Sequence, residues 1–141
     1  EETGFPGMAV LHFAFGGDAS NPYLPHNLKR NQVVYSGTHD NDTSLGWFDS
    51  LHPSSQEHVK KYLGISGENI GWDLFRASIA SVANYAIVPM QDLFSLRSQA
   101  RFNNPGTQSG NWDWRYCSES LEAFYRESHE YIKDTLKCFG R

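Results

Sequence analysis

Gln32-Val33-Val34-Tyr35-Ser36-Gly37-Thr38-His39-Asp40-Asn41-Asp42-Thr43 is the stretch on which the fold turns. Its β-branched and aromatic opening predicts a strand over residues 32–36, ended by Gly37. An imidazole, two carboxylates and an amide then crowd into four positions, which is the wrong composition for a mere connector. Upstream, Val10-Leu11-His12-Phe13-Ala14-Phe15 predicts another strand, stopped by Gly16-Gly17 and followed by a loop, Asn21-Pro22-Tyr23-Leu24-Pro25-His26-Asn27. Downstream, Ser54 and Glu57 have capping-box spacing, so a short helix is expected there. A longer helix is expected from about Asp73, with Phe75, Ile79, Val82 and Ala86 forming one apolar stripe. Residues 86–90 predict a third strand ending at Gln91-Asp92, and residues 101–115 an irregular loop. A last helix is expected over residues 119–139, with Leu121, Tyr125, Ile132, Leu136 and Phe139 on one side.

Short apolar runs alternating with helical ones signal β/α units and a parallel sheet. A complete (β/α)8 barrel needs eight units and about 250 residues. With 141 residues the chain supplies about three, so the expected fold class is α/β, the closing arc of such a barrel. In these barrels the active site lies in the loops after the strands' C-terminal ends.

Composition narrows the function classes. The twelve Lys and Arg are scattered and the net charge is −4, so no basic stripe offers itself to a nucleic-acid backbone. No apolar run approaches the ~20 residues of a membrane span. Glu1-Glu2-Thr3-Gly4 is expected to be neither a signal peptide nor a natural start. Cys117 and Cys138 lack metal or redox spacing and are expected to be free thiols.

The loop after Tyr35 suits a polyhydroxylated ligand, because each sugar hydroxyl can donate to a carboxylate and accept from an amide or imidazole N–H. A capped turn, with Asp40 or Asn41 bonded to the local backbone, is the plain alternative. A metal-dependent phosphohydrolase would carry its His-Asp pair on a helix, against the strand signal of Val33-Val34-Tyr35. A calcium loop opening at Asp40 would need Gly at its sixth position and Glu at its twelfth, where Leu45 and Leu51 stand. Neither a metal nor a cofactor is expected. Elsewhere, His12 is expected to be a satisfied interior group, Trp114 a packing residue, and Asp92 the ion-pair partner of Arg101 or Arg115. His52, His58 and His129 are expected to be solvated.

Taken in series, these motifs resemble the family 77 glycoside hydrolases, the 4-α-glucanotransferases (amylomaltases or disproportionating enzymes). The resemblance rests on Pro6-Gly7-Met8, the Asn21 to Asn27 loop, residues 33–43, Trp72 and Pro89-Met90-Gln91-Asp92. It extends through Ala100-Arg101-Phe102-Asn103-Asn104-Pro105-Gly106-Thr107 and Gly110-Asn111-Trp112-Asp113-Trp114-Arg115. It implies a retaining enzyme that moves α-1,4-glucan segments between maltooligosaccharides, using an Asp nucleophile and a Glu acid/base. Asp40 corresponds to the family's third carboxylate, which grips sugar hydroxyls as the oxocarbenium-like state forms. His39, Asn41, Asn111, Trp112, Tyr23 and His26 are the expected substrate contacts. Residues 1–141 then correspond to the C-terminal part of the catalytic barrel, about strands six to eight, with no second domain. The nucleophile and acid/base belong to the family's fourth and fifth strands, so this chain alone is expected to be inactive and to need the N-terminal part of the same barrel. A non-catalytic glucan-binding piece and an α-amylase-type hydrolase are the alternatives. The expected compartment is cytoplasm, with plastid stroma as the alternative.

Overall fold

The computed structural model describes residues 4–141, so Glu1-Glu2-Thr3, in the segment expected to be no natural start, lies outside the described residues. Three strands, β1 (Gly7–Val10), β2 (Gln32–Tyr35) and β3 (Tyr85–Ile87), form a parallel sheet in the order β1-β2-β3. Val34 is the hinge of the register, facing Ala9 on one side and Ala86 on the other. The helices are α1 (Ser44–Ser50), α2 (Pro53–Leu63), α3 (Ile70–Ala80), the single turn α4 (Met90–Leu93) and α5 (Ser118–Cys138).

Strand alternation sorts the sheet into two unequal faces. Ala9 and Val34 are fully buried, in one core with Phe48 of α1, Val59 of α2 and Ile70 and Leu74 of α3. On the opposite face Met8, Tyr85 and Ile87 are 60%, 58% and 48% exposed. Parallel sheets are normally covered on both faces, so this sheet is half dressed.

The expected elements appear with shifted boundaries. The first strand runs over Gly7–Val10 and not residues 10–15. β2 offers partners only from Gln32 to Tyr35, so beyond Val10 the chain tightens into a 3-10 turn at Leu11–Phe13. Leu11, His12, Ala14 and Phe15 are buried beyond the strand's end. The crossover from β1 to β2 contains no α-helix, only this turn and another at Pro25–Asn27.

α2 is capped by His52, not by Ser54. Pro53 takes the first helical position, so the cap falls two residues before Ser54, and His52 Nδ1 accepts from the Ser54 N–H at 3.3 Å. Glu57 pairs instead with Lys60 at 2.7 Å. α3 begins at Ile70 and stops at Ala80, so Val82 falls outside the expected stripe and is exposed, while Phe75 and Ile79 are buried. The third strand ends at Ile87, and Met90-Gln91-Asp92 coil into α4 behind Pro89. On α5, Leu121 and Tyr125 are exposed. The helix seats itself through Phe124, stacked on Trp72 at 6.1 Å and edge-on to Phe94 at 5.2 Å. Its end is tied down by Arg141, whose guanidinium donates to the carbonyls of Ile79 (2.8 Å) and Ser81 (2.9 Å).

Gly71 is where α3 meets α4. A methyl group there would collide with the Asp92 carbonyl oxygen, a backbone atom that cannot rotate away. Two effects compete in Gly71→Ala. Helix propensity favours Ala by roughly 1 kcal/mol, and overpacking costs about 1–3 kcal/mol. Because the neighbour is backbone, overpacking should win, and thermal unfolding should show a lowered midpoint. A raised midpoint would show that α4 yields.

Candidate active site

The loop from Ser36 to Ser44 leaves the C-terminal end of β2 and is fastened at its base. Asp92, in α4, is 2% exposed and its carboxyl accepts three hydrogen bonds. Oδ2 takes Ser36 Oγ and Ser44 Oγ, both at 2.7 Å, and Oδ1 takes the Ser44 backbone N–H at 2.7 Å. Burial raises the pKa of Asp92, and these donors pull against the rise. The expected ion pair of Asp92 with Arg101 or Arg115 does not form. Arg101 donates to the carbonyls of Asp40 and Asn103, and Arg115 to those of Trp112 and Trp114.

His12 joins the same network from the end of β1. Its Nε2 lies 2.9 Å from Ser44 Oγ, and its ring stacks on Trp47 with centroids 4.6 Å apart. Since the Ser44 hydroxyl proton goes to Asp92, Ser44 accepts from His12, which makes Nε2 the protonated nitrogen. Nδ1 is left as a buried lone pair with no partner among the described residues, so the expectation of a satisfied imidazole holds for only one nitrogen. Gly37 is required beside it, since a Cβ there would lie 2.6 Å from His12 Cε1.

Above this base the loop is a tight turn. Asn41 Oδ1 accepts from the Thr38 N–H (2.9 Å) and Thr38 Oγ1 (2.8 Å), so the capped-turn alternative describes Asn41. Asp42 Oδ2 accepts from Ser98 Oγ at 2.7 Å. Thr43 then caps α1, accepting from the Gly46 N–H. Asp40 behaves differently. Its Oδ1 accepts from Asn103 Nδ2 at 2.6 Å, with His39 Nε2 at 3.4 Å, and its Oδ2 meets no donor among the described residues. The side chains of His39 and Asp40 are 57% and 50% exposed, which leaves the carboxylate on the rim.

Beside the rim lies a hollow of about 250 Å³ whose lining includes Thr38, His39, Asn41, Asp42, Asp92, Phe102 and Trp114, whereas Asp40, Asn111 and Trp112 stand outside that lining. Trp112 reaches His39 with ring centroids 5.2 Å apart, and its backbone holds a left-handed φ of 65°. Asn111 is engaged within its own loop, accepting from the Asn104 N–H at 2.7 Å and donating to Thr107. Tyr23 and His26 stay away from the hollow. His26 is held by Tyr62 Oη (2.7 Å) and the Ala19 carbonyl (3.0 Å), and Tyr23 packs near Phe13. His52 and His58 are exposed as expected, whereas His129 is half-buried against Tyr125. Among the described residues no group of three or more His, Cys, Asp or Glu is placed to hold a metal, and no helix is long and apolar enough to cross a membrane.

Residues 1–120 match the family model described as 4-alpha-glucanotransferase. The chain belongs to the 4-α-glucanotransferase family. It is 50% identical over 142 residues to the chloroplastic/amyloplastic 4-alpha-glucanotransferase of Arabidopsis thaliana, covering 100% of this chain and 25% of that protein. It is 51% identical over 123 residues to the enzyme of Synechocystis, covering 86% of this chain and 24% of that one. Among solved structures it superposes on the amylomaltase from Streptococcus agalactiae in complex with acarbose with a TM-score of 0.81 at 36% identity, covering 89% of this chain and 27% of the other. The chain thus spans about a quarter of the length of its relatives. Its parallel sheet with helices on one face is part of an α/β barrel.

Asn103 and Ser98 are contributors that sequence reasoning did not single out, and Arg101, expected beside Asp92, serves the Asp40 loop instead. They act across more than fifty residues, and no spacing rule links them to Asp40 or Asp42.

Burial lowers the pKa of His12 to about 3 from an ordinary value of 6.5. Between those values the unfolded chain binds more protons, so this group's contribution to stability is lost as pH falls below about 6.5. Asp92, with its raised value, has the opposite sign and loses stability as pH rises through it. A His12→Gln variant removes only the first effect. Denaturation at pH 7 and pH 5 should show wild type losing about 2 kcal/mol more than the variant on acidification. Equal losses would show that His12 titrates normally.

Proposed function

We propose that residues 1–141 form the C-terminal part of the catalytic (β/α)8 barrel of a 4-α-glucanotransferase, with β1 to β3 as its sixth to eighth strands and no second domain among them. The uncovered sheet face, with Met8, Tyr85 and Ile87 pointing into it, supports this, because further strands of a barrel would enclose it. The partner implied is the N-terminal part of the same barrel, and the ligands are maltooligosaccharides and other α-1,4-glucans. Nucleic acid and membrane have no part in the reading. Cytoplasm is the proposed compartment, and the plastid names of two relatives support stroma as the alternative.

The single observation that carries the reading is the rim carboxylate of Asp40. One oxygen is oriented by Asn103, and the other is open to a ligand. In a retaining double displacement, the nucleophilic carboxylate attacks the anomeric carbon while the acid protonates the departing glucan oxygen. The acceptor's 4-hydroxyl then displaces the carboxylate, losing its proton to the same acid/base. Both of those groups come from the part of the barrel outside this chain. Asp40 accepts hydrogen bonds from ring hydroxyls, which strengthen as positive charge develops on the sugar, so it binds the transition state more tightly than the substrate. His39 and Trp112 supply flat surfaces at the same rim, and Asn41 holds the turn.

Disproportionation of maltotriose tests both parts. Asp40→Asn in the full-length enzyme should lower the rate by at least ~10²–10³-fold, and the 141-residue chain alone should show no transfer. Near wild-type turnover in the variant would remove Asp40 from the catalytic set. Transfer by the isolated chain would show that the proposed missing carboxylates are dispensable.

A further inference from the structure

We infer that Asp92 is a positioning residue that holds the Asp40 loop by both of its ends. The inference rests on the role of Asp40 proposed above, and goes beyond it by naming what sets that carboxylate's place. Ser36 is the last residue before the loop and Ser44 the first residue of the helix after it. One carboxyl group takes donors from both, through two hydroxyls and one backbone N–H, each at 2.7 Å. The seven residues between them carry His39, Asp40, Asn41 and Asp42.

The carboxyl is itself fixed. Gly71 of α3 lies against the Asp92 backbone with no room for a Cβ, so α3 and α4 pack in close contact there. Asp92 also receives its backbone bonds locally, donating to the Pro89 carbonyl and accepting from the Ser95 N–H, both at 3.0 Å. Ser44 extends the clamp to β1 through His12, and the His12 N–H donates to the Ser36 carbonyl at 3.2 Å. The ends of all three strands are thus referred to one buried group. Asp92 borders the floor of the hollow, but it is only 2% exposed and all three of its carboxyl contacts go to the loop base, so its action on substrate runs through the placing of the Asp40 loop.

The test uses the full-length enzyme with Asp92→Asn, Ser36→Ala and Asp40→Asn, measuring kcat and KM for maltotriose and amide hydrogen exchange in residues 37–43 and 32–35. Asp92→Asn keeps the shape but removes acceptor capacity. It should lower kcat by ~10–10²-fold, since small misplacements of a reacting group are costly in rate, with KM held within about threefold. Exchange should quicken in residues 37–43 and stay unchanged in residues 32–35. Ser36→Ala, which deletes one of the three bonds, should change kcat and loop exchange in the same direction by less. Unchanged kcat and loop exchange in both variants would overturn the inference, as would exchange that rises equally in loop and strand. Should Asp92→Asn fail to fold, Ser36→Ala decides alone by the same two readouts. If Asp40→Asn stays active while Asp92→Asn loosens the loop, the clamp stands and the catalytic role of Asp40 falls. A dead Asp40→Asn beside an unaffected Asp92→Asn would leave Asp40 catalytic and overturn the clamp.

Discussion

A strand of a parallel sheet ends in a loop, and nothing in the ladder of backbone hydrogen bonds fixes where that loop goes next. In this molecule the constraint comes from below, where the Asp92 carboxyl accepts from Ser36 and Ser44. Burying a carboxyl is unfavourable unless donors surround it. Three donors do so here, and each belongs to the segment that must be held. The bond from His12 to Ser44 adds the first strand to the same arrangement, and leaves one imidazole nitrogen stranded. A buried group of this kind gives weak stability and strong geometric definition.

What the clamp holds is a rim. Asp40 stands at the edge of a hollow with one oxygen engaged by Asn103 and its backbone carbonyl engaged by Arg101, so the loop after β3 braces the loop after β2. The sheet under them is finished on one face only. Ala9 and Val34 are sealed by the helices, and Met8, Tyr85 and Ile87 are open on the other side. That asymmetry, in a chain spanning about a quarter of its relatives, supports the proposed reading, in which the chemistry lies at a junction between this arc and the strands that would complete it.

The strand at Val33-Val34-Tyr35 and the cluster after it were legible in the sequence, because β-propensity and an abrupt change to polar residues are local signals. The first strand was displaced by several residues, since an apolar run says that residues are buried without saying that they pair. Pairing ended where β2 ended, and Leu11 to Phe13 coiled. The helix beginning at Ser44 left no legible trace, being seven residues long with a glycine inside. Asp92 shows the deeper limit. Its position after a strand was readable and suggested an arginine partner. Its true partners are two serines some fifty residues away, which no periodicity could connect. Asn111 and His26 have the chemistry of sugar ligands, and here Asn111 is engaged within its own loop and His26 by Tyr62 of α2. Only the three-dimensional packing separates an amide that binds a ligand from one that folds a turn.

The most direct test is a crystal structure of the full-length enzyme with a bound maltooligosaccharide inhibitor. The account predicts Asp40 within ~3 Å of a ring hydroxyl, reached through the oxygen that Asn103 leaves open, with Ser36 and Ser44 still on Asp92. A sugar bound elsewhere, with Asp40 facing solvent and touching no hydroxyl, would contradict it.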